Sequence, residues 1–169
     1  MRRDIDHTED ARIPLAGLLE AASQAVFAEF RARLAESGYD DIRPTHGCVF
    51  RFVRDEGMRL TELANFAGMA KQSVGEIVDN LVALGYVERV PDPSDQRAKL
   101  IRLTPRGRKA QATGFTLFRE LEDDWADQFG RERMAEAREL LEQIVAEKLP
   151  QAVPELARPE LAEPQPAGA

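Results

Sequence analysis

Residues 71–108 read KQSVGEIVDNLVALGYVERVPDPSDQRAKLIRLTPRGR, and the change of hydrophobic period within this stretch decides the fold. Val74, Ile77, Val78, Leu81 and Leu84 recur three or four residues apart, the period of one helix face, and Gly85 follows where a left-handed residue ends a helix. Residues 86–90 are then rich in β-favouring side chains and 99–103 alternate apolar with charged, so the two runs are predicted to pair as a hairpin. Between them, residues 91–98 form a polar loop with two prolines. Thr104 and Pro105 supply an N-cap and a first-turn proline for a long helix.

Upstream, Thr61 reads as an N-cap for a short helix carrying Leu63, Ala64 and Ala67, and Gly68 suits a tight turn that needs positive φ. Two short helices joined by a glycine-bearing turn are the helix-turn-helix pattern. Before it, Pro44 opens a helix with Cys48, Val49, Phe52 and Val53 inside, closed by Asp55, Glu56 and Gly57. A first helix runs from Pro14 to about Glu36, with Leu15, Leu18, Leu19, Ala22, Val26, Phe30 and Leu34 on one face. Downstream, Phe115, Phe118, Leu121 and Trp125 share a side of the long helix, Gly130 breaks it, and Met134, Ala137, Leu141, Ile144 and Val145 mark a last helix to about Leu149. Residues 150–169 hold five prolines without apolar periodicity and are expected to be a disordered tail.

The predicted fold is therefore mainly α with a small β-hairpin wing and about six helices. Residues 1–42 are assigned to an N-terminal dimerisation helix, 43–110 to a winged helix-turn-helix domain, and 111–149 to C-terminal dimerisation helices. The first helix and the last two carry more apolar stripe than one small reading domain can cover, which calls for a two-fold partner.

A chain of 169 residues can bury a core without a staple. One cysteine, Cys48, and two histidines, His7 and His46, offer neither an internal disulfide nor a spaced Cys/His ligand set, so no metal or cofactor is expected. No apolar run approaches a membrane span and the N-terminus is polar, which places the protein in the cytoplasm away from membranes. No glycine-rich phosphate loop, paired catalytic carboxylates or nucleophile elbow is present, so no catalytic residue is assigned. Cys48 and His46, two residues apart, point to different sides of a helix and make a poor dyad.

The net charge of −7 argues at first against a nucleic-acid partner. Its distribution argues the other way. Residues 1–42 carry five Lys/Arg against nine Asp/Glu, residues 43–110 twelve against eight, and residues 111–169 six against thirteen, giving −4, +4 and −7. A basic reading segment in an acidic frame fits double-stranded DNA, because the frame repels DNA docked in wrong orientations.

The N-terminal residues of a recognition helix lie nearest the base edges of the major groove, and here they are Lys71, Gln72 and Ser73. Gln72 can pair with adenine, Lys71 can reach guanine or phosphate, and Ser73 can bond either. Gly75, Glu76, Asp79 and Asn80 are placed on the same outward face, with Gly75 admitting the DNA backbone closely. Thr61, at the head of the preceding helix, joins the candidate contacts. On the wing, Asp95, Arg97 and Lys99 are selected: Arg97 to enter a narrow minor groove, and Asp95 to orient its guanidinium by a charge-assisted bond.

These residues carry a resemblance. The runs 60–67 and 71–89, and especially Asp92-Pro93-Ser94-Asp95-Gln96-Arg97 followed by Leu103-Thr104-Pro105-Arg106-Gly107-Arg108, resemble the winged helix-turn-helix regulators of the MarR (multiple antibiotic resistance regulator) family. The resemblance implies a homodimeric transcription regulator, a pseudo-palindromic operator and a lipophilic effector bound between the reading and dimer lobes. Candidate effector contacts are Phe27, Phe30, His46, Phe50 and Phe115. Gln96 stands where many members have arginine, as do Glu76 and Asn80 in the recognition helix, so the wing signature transfers through Asp95 and Arg97. Cys48 lies in the second helix, away from the thiol-sensing position near the start of helix one, and is read as a small buried hydrophobe. The alternative function is a winged-helix protein-interaction module without DNA binding, suggested by the net acidity and by Glu76 and Asp79 on the reading face.

Overall fold

The computed structural model describes residues 12–149. The tail expected over 150–169 lies outside the described residues. Helix α1 spans Leu15–Glu36, a single 3-10 turn Pro44–His46 leads into α2, Gly47–Phe52, and strand β1 is Met58–Arg59. Then come α3 (Leu60–Ala67), α4 (Lys71–Ala83), β2 (Val87–Asp92), β3 (Asp95–Leu103), α5 (Pro105–Phe129) and α6 (Arg131–Lys148). The six helices and their order agree with the periodicity of the apolar residues. Val74, Val78 and Leu81, spaced four and three apart on α4, are fully buried against Val49, Leu63, Tyr86 and Ile101. That shared core joins the helix-turn-helix to the sheet.

The sheet has three antiparallel strands in the order β1-β3-β2. Strand β1, two residues long, pairs Met58 with Ile101 and Arg59 with Leu100 and was not expected from the sequence. The hairpin is longer than expected: β2 and β3 remain paired until only Pro93 and Ser94 separate them. Register passes from Pro91 opposite Lys99 to Asp92 opposite Asp95, so residues 96, 97 and 98 of β3 bulge out against a single step of β2. The extra residues shorten the loop and leave Arg97 on the bulge, because unpaired residues in a ladder must project from it.

Two devices fasten the hairpin to α5. The Thr104 hydroxyl donates to the Gly85 carbonyl at 2.7 Å and accepts from the Gly107 amide at 3.0 Å, the expected N-cap. Arg106, one residue into the helix, donates to Asp41 at 2.9 Å and to the Tyr86 hydroxyl at 3.0 Å. Helix α1 lies along α5 through Phe30 stacked on Phe118, ring centroids 3.9 Å apart, and through Trp125, whose indole N–H donates to Glu29. Leu15, Leu18, Leu19 and Phe27 of α1 stay exposed, as do Leu140, Leu141 and Ile144 of α6, which buries no residue at all.

Candidate nucleic-acid interface

The head of α4 is set by the turn before it. Gly68 adopts φ +62°, and the Met69 amide donates back to the Ala64 carbonyl, so the chain leaves α3 and re-enters a helix within three residues. Lys71, Gln72 and Ser73 consequently stand exposed on the first turn of α4. Gln72 lies 3.5 Å from the Glu76 carboxylate, one turn on, and both side chains face solvent. Asp79 continues that face and binds Arg89 of β2 at 2.7 Å.

Three placements differ from the sequence expectation. Thr61 is the exposed second residue of α3, not its cap: the cap position is Arg59, whose amide donates to the Glu62 carboxylate at 2.9 Å. Gly75 is half-buried and turned toward α3, where a Cβ would lie 3.8 Å from Leu60. Asn80 points inward, its Oδ1 buried in the surroundings of His46. The cause is common to the last two. Helix α4 is enclosed by α3 on one side and by the 3-10 turn on the other, so its covered arc is wider than its apolar stripe.

On the wing, Arg97 and Lys99 are exposed. Asp95 accepts from the backbone amide of Arg97 at 3.0 Å, so it shapes the bulge through the main chain rather than by holding the guanidinium as expected. Two further residues, Asp92 and Arg59, shape the wing. Asp92 takes the Ser94 amide at 2.8 Å and the Ser94 hydroxyl at 2.6 Å on one oxygen, and Arg59 Nε at 2.7 Å on the other. Its carboxyl is held down at about 2, first by the Ser94 hydroxyl, then by the Ser94 amide and by Arg59. The Asp-Pro-Ser run signals such an Asx-type turn. Nothing local signals Arg59, 33 residues earlier in the chain.

The five candidate effector residues occupy different surroundings. Phe27 lines an open groove with Ser23, Gln24, Ala28, Arg31 and Pro44, and touches Phe118 edge-on. Phe30 is stacked on Phe118, Phe50 packs edge-on to Tyr86, and Phe115 is 37% exposed. His46 is only 2% exposed, and its Nδ1 accepts from the Arg43 amide at 3.0 Å. That bond leaves Nε2 as the protonated nitrogen of the neutral ring. Burial pushes the His46 pKa down, against a raising contribution from Asn80. Cys48 donates to the Thr45 carbonyl at 3.2 Å and burial pushes its thiol up, as suits a small packed residue rather than a reactive thiolate. Among the described residues no helix is long and apolar enough to cross a membrane.

Residues 40–98 match the model of the MarR family. The exopolysaccharide II synthesis transcriptional activator ExpG of Rhizobium meliloti (strain 1021) is 26% identical over 107 residues, covering 63% of this chain and 55% of that protein. The chain thus spans about half the length of that curated relative. The crystal structure of the reduced form of MarR from E. coli superposes with a TM-score of 0.70 at 23% identity, covering 80% of this chain and 99% of that one. CouR, a transcriptional repressor solved bound to a 23-mer DNA duplex, superposes with a TM-score of 0.63 at 25% identity, over 78% of this chain and 92% of that one.

Proposed function

We propose that this chain, whose residues 40–98 form a MarR-family winged helix, is a sequence-specific DNA-binding transcription regulator working as a homodimer in the cytoplasm. The observation that carries the reading is the pairing of a solvent-facing polar helix head, Lys71, Gln72 and Ser73, with a wing bulge that presents Arg97. A helix head of this kind suits the major groove, and an arginine on a narrow loop suits the adjacent minor groove. Thr61, Glu76 and Lys99 are likewise exposed and complete the contact set, while Gly75, Asn80 and Asp95 act through packing and backbone geometry. CouR, with its duplex, lends support through its similar fold.

The apolar stripes left open on α1 and α6 supply the dimer surface. A two-fold pair reads a pseudo-palindromic operator with half-sites about 34–36 Å apart, one turn of DNA. The regulator acts as a repressor and is released by a small lipophilic effector, for which the groove at Phe27, lined by α1 and Pro44, is the entry point. Selection of bound duplexes from fragmented genomic DNA tests the whole reading, and enriched inverted repeats are the expected result. Neutralising about 6–10 phosphates makes affinity fall roughly 10³–10⁵-fold between 50 and 200 mM salt. A selection that enriches no sequence would favour a protein-docking surface instead.

A further inference from the structure

A two-stranded ribbon is marginal by itself, so a wing that must meet DNA at a set height needs an anchor beyond its own ladder. Here the anchor comes from the front of the helix-turn-helix. Arg59 directs both Nε and Nη2 at one Asp92 oxygen, at 2.7 and 2.6 Å, and Nη2 also lies 3.4 Å from the Ser94 hydroxyl and 3.9 Å from Asp95. Asp92 is 5% exposed although it stands at the tip of the hairpin, and its second oxygen is taken by Ser94. Arg59 is fixed in turn, since its amide bonds Glu62 in the first turn of α3. An unbroken chain of charge-assisted bonds therefore runs from α3 through Arg59 and Asp92 to Ser94, and Asp95, the next residue, holds the Arg97 amide.

We infer that Arg59 and Asp92 are positioning residues for DNA recognition, which fix the bulge bearing Arg97 relative to α4. The inference rests on the DNA-binding reading above. Its rival is that Arg59, with a side chain 39% exposed, is simply a phosphate ligand. Asp92 separates the two by sign. Removing a carboxylate from a DNA-facing surface strengthens binding if only the sum of charges matters, because one fewer anion opposes the phosphates. Removing a brace weakens binding.

The experiment titrates a labelled duplex, recovered from genomic fragments by the wild-type chain, with Asp92→Asn, Arg59→Lys, Arg97→Ala and the double variant Asp92→Asn/Arg97→Ala. Asn keeps the turn at Ser94 and Lys keeps the charge, while each removes the forked pair. Asp92→Asn and Arg59→Lys are each expected to weaken binding about tenfold, as the fraction of wings in the competent position falls to roughly a tenth. With Arg97 already replaced, Asp92→Asn is expected to change affinity by less than about twofold, because coupled residues are not additive. Amide exchange at Ser94 and Arg97 of the free protein speeds up while that of α4 stays unchanged. Tighter or unaltered binding by Asp92→Asn, wild-type affinity of Arg59→Lys, or full additivity with Arg97→Ala overturns the inference. Failure of the wild-type chain to enrich any duplex overturns the DNA-binding reading itself, and this inference with it.

Discussion

Gly107 stands directly against the backbone carbonyl of Tyr86, so close that a Cβ at that position would overlap the oxygen. The contact follows from the N-cap: Thr104 bonds the Gly107 amide and the carbonyls that end the turn after α4, and this draws the first turn of α5 onto the start of β2. Backbone cannot step aside as a flexible side chain can. Gly107→Ala is expected to destabilise the fold by about 1–3 kcal/mol, as overpacking does, with a matching drop in Tm. Chemical unfolding that places the variant within about 0.5 kcal/mol of wild type, the scatter of neutral surface changes, would show that the turn relaxes freely.

Gly75 makes the opposite case. It lies inside α4 in ordinary helical conformation, and the Cβ of an alanine would sit at van der Waals distance from Leu60. Gly75→Ala should therefore stabilise the protein by about 0.5–1 kcal/mol through the backbone freedom it removes from the unfolded chain. DNA affinity is expected to hold. If stability rose while affinity fell tenfold, the glycine would belong to the DNA-facing side after all.

The contrast between these glycines shows what the amino-acid order reveals. Helix order was legible because the apolar spacing along α1, α4 and α5 changes to alternation at Val87 and back at Pro105. The face of a given residue on α4 was less so. A stripe such as Val74, Val78 and Leu81 marks the centre of the buried arc, but its edges depend on which neighbours close in, and here Leu60 and His46 cover Gly75 and Asn80. Strand β1 escaped notice because two residues carry no period and their partners lie more than forty positions on. The hairpin is legible in the sequence but its tip, 91–98, reads as an open polar loop because Asp92, Ser94 and Asp95 are turn formers in composition. In the structure they make a two-residue turn and a bulge, and Asp92 draws its partner from β1.

Arg97→Ala is expected to leave unfolding and dimerisation unaltered, since the side chain is exposed and its amide keeps Asp95. Affinity should fall mainly through the flanks of the operator, and one fewer phosphate neutralised lowers the salt slope by about one unit. An unchanged footprint with an unchanged Kd would remove the residue from the interface.

His46 gives the fold a definite dependence on pH. Burial lowers its pKa below the ordinary 6.5, the Arg43 amide occupies Nδ1, and the nearby charges are Asp41, which raises the value, and Arg43, which lowers it. A histidine kept neutral in the native state is protonated more readily once the chain unfolds. Its stabilising contribution is complete above pH 6.5 and declines as the pH falls toward the lower folded value, by at most about 1.4 kcal/mol per unit. Urea unfolding of wild type and His46→Gln between pH 7.5 and 5.5 measures it. Every other ionisable group is common to the two proteins, so the difference between the two curves isolates His46, and parallel curves would contradict the assignment.

Arg106 binds together three parts of the chain that are remote in sequence. Its guanidinium donates to Asp41 after α1, to the Leu84 carbonyl at the end of α4 and to the Tyr86 hydroxyl, and stands 4.4 Å from the Tyr86 ring centroid. An exposed ion pair alone contributes about 0–1 kcal/mol, and Arg106 is half exposed, so Asp41 by itself would matter little. Tyr86 changes the balance. Its ring is fully buried, its hydroxyl bonds Asp41, and burial followed by that bond pushes the phenol up to about 12. The three groups should thus act as one unit. Arg106→Ala and Tyr86→Phe are each expected to destabilise by about 1–2 kcal/mol, and the double variant by less than their sum, with a coupling of at least about 0.5 kcal/mol. Arg106→Lys restores only part of the loss, because an ammonium lacks the planar fork that reaches a carboxylate, a carbonyl and a hydroxyl together. Strict additivity, or full recovery by lysine, would reduce the cluster to unrelated surface contacts.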